Sequence, residues 1–186
     1  VKSSDIFLTV KAYKKLSDYE NAIMNLQVMH NAHLSKIDKI ICIGTVSVYP
    51  KNTELPFKEK NIWEGYPQDE NAPYGIAKRI MHTHSLGYRK QYDLNSIMVV
   101  LTNLYGPNDN FNKDSSHVVA ALIRRFYEAK KNNVKEVLVW GDGNATRDFS
   151  YIEDIAEGII LSAENYNESL PINLASGRET SIKELA

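Results

Sequence analysis

Tyr74 and Lys78 are the two side chains whose types and spacing best suit chemistry. They lie four residues apart in a segment with a helical pattern, so both side chains project from the same helical face. A lysine ammonium near a tyrosine favours the phenolate and lowers the pKa of the phenol from its usual value of about 10. Such a phenol can give or take a proton at a carbinol or carbonyl carbon near neutral pH. The same spacing also fits a half-buried tyrosine above a solvated lysine.

Two predicted strands flank this helix along the sequence. Residues 39–48 begin as a run of β-branched side chains without alternation, and residues 95–101 form a second apolar run. Runs of this kind are typical of strands covered on both faces. Because ligands of open α/β sheets bind beyond the carboxyl ends of the strands, the hydroxyls of Thr45 and Ser47 are candidate site residues. Ordinary turn chemistry at a strand end explains the same pair.

Strand-like and helix-like segments alternate along the whole chain. Besides the segments above, we predict strands at 6–10, 136–140 and 170–174, helices at 17–33 and 154–165, and a helix that His117 opens. The polar segment 51–73, which carries three of the six prolines, is predicted to be a loop. The alternation predicts an α/β fold with a parallel sheet and helices on both faces.

Composition limits the class of protein. The 186 residues, 43% of them hydrophobic, fit one globular domain, and a net charge of -1 gives no basic surface for nucleic acid or for a membrane. The single cysteine, Cys42, excludes an internal disulfide and is predicted to be a buried thiol. His30 and His33 have no third ligand nearby, so we predict no metal site. Without an apolar run of about 18 residues or a signal-peptide pattern, we expect a soluble cytoplasmic protein.

Three segments in a fixed order resemble the extended short-chain dehydrogenase/reductases that act on nucleotide sugars, the NAD-dependent epimerase/dehydratase family. They read GTVSVY at 44–49, YGIAK at 74–78 and NLYGP at 103–107. The chain from Asn103 through RDF at 147–149 is similar, within that family, to the GDP-L-fucose synthases. Those enzymes use NADPH to epimerise C3 and C5 and to reduce C4 of a GDP-linked 4-keto-6-deoxy sugar. The resemblance covers nearly the whole chain.

This resemblance implies a Rossmann-like, doubly wound parallel sheet with a small C-terminal substrate-binding part. Residues 1–107 would be the C-terminal portion of the NAD(P)-binding domain, and residues 108–186 a mixed substrate-binding region with returning Rossmann elements. The chain would be a fragment that lacks the N-terminal Gly-rich βαβ units and the C-terminal end. The expected cofactor is NADP, with NAD as the alternative, because the residue that selects between them would lie in the missing part.

The resemblance also implies a role for each matching residue. Tyr74 would protonate the C4 oxygen, and Lys78 would hold the nicotinamide ribose and lower the tyrosine pKa. Thr45 would hydrogen-bond the same oxygen, an interaction whose loss typically costs about 2.7–4 kcal/mol. His117 matches the acid used in epimerisation, although a histidine at a helix start also fits a cap or a surface group. Residues matching cofactor contacts are Gly44, Thr45, Tyr74, Lys78, Leu101, Asn103, Leu104 and His117.

Arg125, Trp140 and Arg147 match positions that bind the substrate nucleotide. Guanidinium groups suit phosphate oxygens, and an indole suits stacking on a base. The alternatives are core filling for Trp140 and a helix-surface ion pair for Arg125. A GDP-linked sugar is the favoured substrate, and a homodimer is implied because members of the family are commonly homodimers.

Ser47 departs from the pattern of the fucose synthases, which carry a cysteine there as the base at C3 and C5. A thiol ionises near about 8.5, whereas an alcohol does not ionise near neutrality without an adjacent base. Ser47 therefore favours a plain 4-keto reductase, while His117 argues for retained epimerisation. Val46 and Ser47 also replace the Asp-Glu pair of the 4,6-dehydratases, which argues against that class. A 4-epimerase with tightly bound NAD and a non-catalytic Rossmann-like binding protein stay open as alternatives.

Overall fold

The computed structural model describes residues 6–9 and 18–186. The strands are β1 (Ile6–Thr9), β2 (Lys39–Thr45), β3 (Asn95–Leu101), β4 (Asn103–Tyr105), β5 (Thr146–Tyr151), β6 (Ile172–Leu174) and β7 (Glu179–Ser181). The helices are α1 (Asp18–Leu34), α2 (Ala72–Tyr92), α3 (Val118–Lys131), α4 (Ile152–Asn165) and α5 (Ile182–Leu185). None of the helices described is long and apolar enough to cross a membrane.

The chain divides into two compact units that interleave along the sequence. Unit 1 runs to Leu101 and includes Glu157–Leu174, and unit 2 comprises Thr102–Ala156 and Ala175–Ala186. The predicted division into 1–107 and 108–186 is a division by function and stays a prediction.

Unit 1 contains a parallel four-stranded sheet in the order β1-β2-β3-β6. The strand predicted at 6–10 is present as β1, with Val10 outside the described residues, as is Ser17 at the predicted start of α1. β3 has the predicted bounds, and α2 ends at Tyr92, after which Asp93 adopts a left-handed conformation with φ 54°. Pro73 suits the first turn of α2, since its missing N–H has no helical partner there. The parallel α/β fold is confirmed.

Helices cover both faces of this sheet. On one face, Ile40, Cys42, Met98 and Val100 pack with buried residues of α1 and α2. Burial raises the pKa of the Cys42 thiol to about 12, as expected for an inert buried cysteine.

The opposite face of the sheet carries Ile41, which is fully buried. Lys39 shares that face because alternate residues of a strand point the same way. The Lys39 ammonium donates hydrogen bonds to the carbonyls of Ser162, Ala163 and Tyr166 at the end of α4. The C-terminal half of α4 therefore covers this face.

Unit 2 contains a three-stranded sheet in the order β4-β5-β7. β4 and β5 are parallel, whereas β5 and β7 are antiparallel. The helix predicted after His117 is present as α3, and Ser181 forms a capping box with Glu184 at the start of α5. The three strands of this sheet, β4, β5 and β7, were not predicted.

The strand predicted at 136–140 is wrong, because these residues adopt no regular structure. Leu138 and Trp140 are 74% and 80% exposed. Val, Leu and Trp have high β-propensity, but that propensity reflects packing on neighbouring strands. Apolar composition alone therefore does not produce a strand here.

Candidate active site

The turn after β2 holds two hydroxyl side chains together. Thr45 ends the strand with extended backbone (φ −150°, ψ 152°) and caps a 3₁₀ turn at Val46–Val48. Its Oγ1 accepts a hydrogen bond from the Ser47 backbone N–H at 3.3 Å, and it donates to Ser47 Oγ at 3.5 Å. We call Thr45 together with Val46–Val48 the hydroxyl turn. The cap explains why both hydroxyls stay at the carboxyl edge of the sheet.

Gly75, next to Tyr74 in α2, allows this helix to pack against the hydroxyl turn. A Cβ atom at Gly75 would overlap the carbonyl oxygen of Ser47 and lie 3.3 Å from Pro67 Cβ. Only glycine permits this approach, so Tyr74 is brought to the edge of the sheet that holds Thr45. Gly75 was not among the predicted site residues. The available signal was a glycine inside a helix, which lowers stability by about 1 kcal/mol relative to alanine and calls for a packing reason.

Lys78 connects α2 to the end of β2. Its side chain is buried, and its Nζ donates a hydrogen bond to the Ile43 carbonyl at 2.9 Å. The same Nζ lies 5.8 Å from the centroid of the Tyr74 ring. Burial lowers the pKa of Lys78, an effect that the nearby Cys42 opposes. The predicted pairing of Lys78 with Tyr74 on one helical face is therefore present. The hydrogen bond that the ammonium donates goes to the Ile43 carbonyl of β2.

The predicted lowering of the Tyr74 pKa is wrong for this structure. Burial raises the pKa of the half-buried phenol to about 12. The four-residue spacing predicts the proximity of Lys78 but not the loss of water around the phenol, and desolvation favours the neutral form. Tyr74 therefore presents a protonated phenol at neutral pH, and its role as proton donor stays a prediction.

Gly44 and Leu101 complete the part of the site that lies in unit 1. Leu101 is level with Thr45 in the register of β2 and β3. A Cβ atom at Gly44 would lie 3.1 Å from the Val99 carbonyl oxygen and closer still to the end of Met98. Gly44 thus has a packing role between neighbouring strands, and its contact with a cofactor stays a prediction. Unit 1 brings six predicted residues to one sheet edge: Gly44, Thr45, Ser47, Tyr74, Lys78 and Leu101.

Unit 2 places Asn103 and Leu104 in β4, opposite Phe149 and Ser150 of β5. Asn103 Nδ2 donates a hydrogen bond to the Asp148 carbonyl at 3.1 Å. This bond fixes the amide of Asn103 against β5. The assignment of both residues to a cofactor stays a prediction.

Arg125 and Trp140 contact each other in unit 2, although they are far apart in sequence. The Arg125 guanidinium carbon lies 5.2 Å from the centroid of the Trp140 ring, within the range of a cation–π contact. Trp140 is 80% exposed, so it does not fill the core. On α3, the ion pair is made by Arg124 with Glu128. Trp140 therefore does not fill the core, and among the described residues Arg125 forms no ion pair.

Arg147 is exposed on β5, with its Nη1 donating a hydrogen bond to the Thr146 carbonyl at 2.6 Å. His117 occupies the N-cap position of α3 and is exposed. Of the unit 2 residues predicted to bind substrate or to act in epimerisation, the structure thus brings Arg125 and Trp140 into contact. The roles of Arg147 and His117 stay predictions.

Asp148, next to Arg147, organises the surrounding turn. Its carboxylate accepts hydrogen bonds from the N–H groups of Ser176 and Gly177 and from the Ser150 hydroxyl. Burial acts to raise the pKa of Asp148, but these hydrogen bonds outweigh it and lower the pKa. The carboxylate fixes the strand that presents Arg147, and sequence reasoning missed this role.

A surface concavity of about 810 Å³ is lined by the segment between Pro50 and Asp69. None of the predicted site residues lines it. The concavity is therefore separate from the hydroxyl turn and from Tyr74.

The donor set of unit 1 fits the nicotinamide ribose of a dinucleotide. An ammonium has three N–H donors, and the Ile43 carbonyl accepts from one of those of Lys78. Tyr74 and Thr45 add hydroxyls that both donate and accept. These residues can hold a diol and a carbonyl oxygen at the same sheet edge.

Comparison with known proteins places this geometry in context. Residues 9–175 match the NAD dependent epimerase/dehydratase family. A GDP-L-fucose synthase from Sinorhizobium fredii is 40% identical over 168 residues, which are 90% of this chain and 54% of that protein. The chain spans about half the length of the curated relatives it matches.

Two solved structures are similar over 97% of the chain. A GDP-L-fucose synthetase from Naegleria fowleri bound to NADP has a TM-score of 0.87 at 29% identity, with 58% of that protein covered. A GDP-mannoheptose C4 reductase from Campylobacter jejuni with NADP bound has a TM-score of 0.86 at 26% identity, with 67% covered.

Proposed function

The chain belongs to the NAD-dependent epimerase/dehydratase family, and we propose that it carries the catalytic residues of a reductase that acts on a nucleotide-linked 4-keto-6-deoxy sugar. GDP is the proposed nucleotide and NADPH the proposed reductant, because the similar proteins are named for GDP-sugars and two of the structures contain NADP. The observation that carries the proposal is the packing of Gly75 on the hydroxyl turn, which assembles Thr45, Tyr74 and Lys78 at one sheet edge.

NADPH, when bound, supplies the hydride for C4. Tyr74 gives its phenolic proton to the C4 oxygen. The Thr45 hydroxyl, which has a single proton, gives up its bond to Ser47 Oγ and donates to the same C4 oxygen. Lys78 holds the nicotinamide ribose through the ammonium N–H groups that are not bonded to Ile43. Hydrogen bonds aimed at the developing oxyanion stabilise the transition state more than the ground state.

The raised pKa of Tyr74 supports the reductive direction. Reduction of a ketone needs an acid, and a phenol with a pKa of about 12 is protonated at neutral pH. Oxidation of a carbinol, with which a 4-epimerase begins, needs the phenolate instead. The protonated phenol fits the reductive direction, and the incubation without added NADPH described below separates the reductase from the 4-epimerase with tightly bound NAD.

Ser47 supports reduction without epimerisation. Its hydroxyl lies 3.5 Å from the Thr45 hydroxyl, which is another alcohol and not a base. An alcohol without an adjacent base is a poor acceptor for the proton of a carbon acid. We therefore propose that C3 and C5 of the sugar keep their configuration.

The test uses the complete protein with NADPH and GDP-4-keto-6-deoxy-D-mannose. We expect NADPH oxidation and a product that is reduced at C4 and unchanged at C3 and C5. If the protein neither binds nor oxidises NADPH with any 4-keto nucleotide sugar, it is not an enzyme of this class. Interconversion of C4 epimers without added NADPH would identify the 4-epimerase instead.

A second incubation, in deuterated water without NADPH, tests epimerisation directly. We expect no deuterium at C3 or C5 of the keto sugar. Deuterium at either carbon would show that another group, with His117 as the first candidate, performs that step.

The remaining parts of the proposal concern assembly and location. We propose a homodimer in the cytoplasm, with cofactor binding in residues 1–107 and substrate binding mainly in residues 108–186. The molecular mass in solution, measured by sedimentation, tests the homodimer.

A further inference from the structure

Arg79 follows Lys78 in α2 and is 6% exposed. Its Nε donates a hydrogen bond to the Val48 carbonyl at 2.8 Å, and its Nη1 donates to the Gly65 carbonyl at 2.8 Å. Val48 ends the hydroxyl turn, and Gly65 belongs to the long segment between β2 and α2. One side chain therefore ties two separate pieces of backbone to the helix that carries Tyr74.

No carboxylate in the described part of the chain forms an ion pair with Arg79. The ring of Trp63 covers the guanidinium, with its centroid 5.5 Å from the guanidinium carbon. A buried guanidinium that donates hydrogen bonds to two carbonyls is costly to keep, since removing a charge from water is unfavourable without compensation. Burial lowers the pKa of Arg79 in agreement with this view. In return, the long side chain with its planar guanidinium reaches two backbone carbonyls at once.

The Gly65 end of this connection is itself anchored. The Lys51 N–H donates a hydrogen bond to the Tyr66 carbonyl at 3.2 Å, and Pro50 forms a bridge with Pro67. The segment is thus closed at its base, close to Gly65. Arg79 therefore fixes the hydroxyl turn to a closed loop as well as to α2.

We propose that Arg79 is a positioning residue that holds the hydroxyl turn in register with Tyr74. Without it, the Val48 carbonyl loses its donor, and the hydroxyl turn is held less tightly against the helix that carries Tyr74. The effect on turnover rests on the proposed function, whereas the effect on the mobility of the turn does not. A misplacement of about 1 Å in a catalytic group can reduce the rate about 100-fold.

The test compares Arg79→Met with Arg89→Met in the complete protein. Arg89 lies on the same helix and also binds carbonyls, those of Ser96 and Asn167, but these carbonyls lie away from the hydroxyl turn. We expect Arg79→Met to reduce kcat by about 10- to 100-fold, with KM for NADPH changed less than about twofold. We expect Arg89→Met to leave kcat unchanged. Equal losses of kcat in the two variants would indicate general destabilisation and overturn the proposal.

Hydrogen exchange separates this inference from the proposed function. The Tyr49 N–H donates to the Val46 carbonyl at 3.1 Å, so its exchange reports on the hydroxyl turn. We expect faster exchange in peptides covering 45–49 for Arg79→Met but not for Arg89→Met. If wild-type protein is inactive while this difference appears, the proposed function fails and the positioning role stands. Unchanged exchange in Arg79→Met overturns the role, whatever the activity.

Arg79→Lys provides a variant that keeps the charge, in case Arg79→Met does not fold. An ammonium is a point donor and lacks the planar fork that reaches both carbonyls. We expect exchange and kcat between those of wild type and Arg79→Met. Wild-type values in Arg79→Lys would show that charge alone suffices and would overturn the two-carbonyl connection.

Discussion

In unit 1, the cations Lys39, Lys78 and Arg79 are buried and bind backbone carbonyls. In unit 2, Arg147 and Trp140, which match substrate-nucleotide positions, are exposed. For Lys78 and Arg79, which lie on the helix that carries Tyr74, this contrast follows from the work proposed for each unit. Proton transfer needs a fixed geometry before the substrate arrives, whereas side chains that bind phosphate or a base must be accessible to it.

The largest loss of activity is expected for a substitution in unit 1. Tyr74→Phe keeps the ring and removes the acid, so we expect kcat to fall about 10²- to 10⁴-fold, because a positioned general acid contributes that much. NADPH binding, measured by fluorescence titration, should change little. Turnover near the wild-type rate would show that another group protonates C4 and would remove Tyr74 from the mechanism.

The packing of α2 on the hydroxyl turn can be tested at Gly75, with Gly87 of the same helix as the matched control. Gly75→Ala should destabilise the protein by about 1–3 kcal/mol, as expected when an atom is forced into a packed site. A Cβ at Gly87 would meet nothing within 4 Å. Gly87→Ala should therefore stabilise the helix by up to about 1 kcal/mol.

Denaturant unfolding measures both glycine variants, and only Gly75→Ala should also lose turnover. Equal stability changes in the two would mean that α2 can move away from Ser47 without loss. The close approach would then not be what assembles the site.

In unit 2, the exposed indole should affect binding and not folding. Trp140→Ala should change the free energy of unfolding by less than about 0.5 kcal/mol, as is usual for surface substitutions. KM for the nucleotide sugar should rise about three- to tenfold, because a stacked aromatic pair contributes about 0.5–1.5 kcal/mol. Leu138→Ala, at a residue that is 74% exposed, is the control and should leave KM unchanged. A strong loss of stability in Trp140→Ala would assign the indole to the fold.

The last prediction concerns the pH dependence of stability. Burial raises the pKa of Tyr74 from 10.0 to about 12, so the folded protein holds this proton more tightly than the unfolded chain. The stability contribution is therefore fully present below pH 10 and is lost as pH rises toward 12. Unfolding free energies of wild type and Tyr74→Phe should diverge over that interval, with wild type losing more. Parallel curves would show that the phenol is not desolvated in solution.

The sequence predicts unit 1 better than unit 2 for a physical reason. β3 and α2 contain long local patterns, a continuous apolar run and a 21-residue helix. β4 and β7 have three residues each, and their half-buried pattern depends on partners that are distant in sequence. The same dependence explains the wrong strand at 136–140. Short strands are thus specified by pairing and not by their own composition.

The candidate site was predictable in its side chains but not in their surroundings. The spacing of Tyr74 and Lys78 and the hydroxyl of Thr45 could be found from residue types and order. The raised pKa of Tyr74 and the bond from Lys78 to Ile43 could not, since both depend on how α2 packs on β2. Arg79 was likewise invisible, because a lone arginine in a helix is ordinarily a surface residue.

The bond from Lys78 to Ile43 joins residues 35 apart in the chain, and the bond from Arg79 to Val48 joins residues 31 apart. Both can form only after β2 and α2 have met, and contacts between distant segments form slowly because the intervening loop must first close. Recovery of activity during refolding should therefore follow the recovery of helical signal. The proposed site therefore forms late in folding, and the return of activity shows that β2 and α2 have packed correctly.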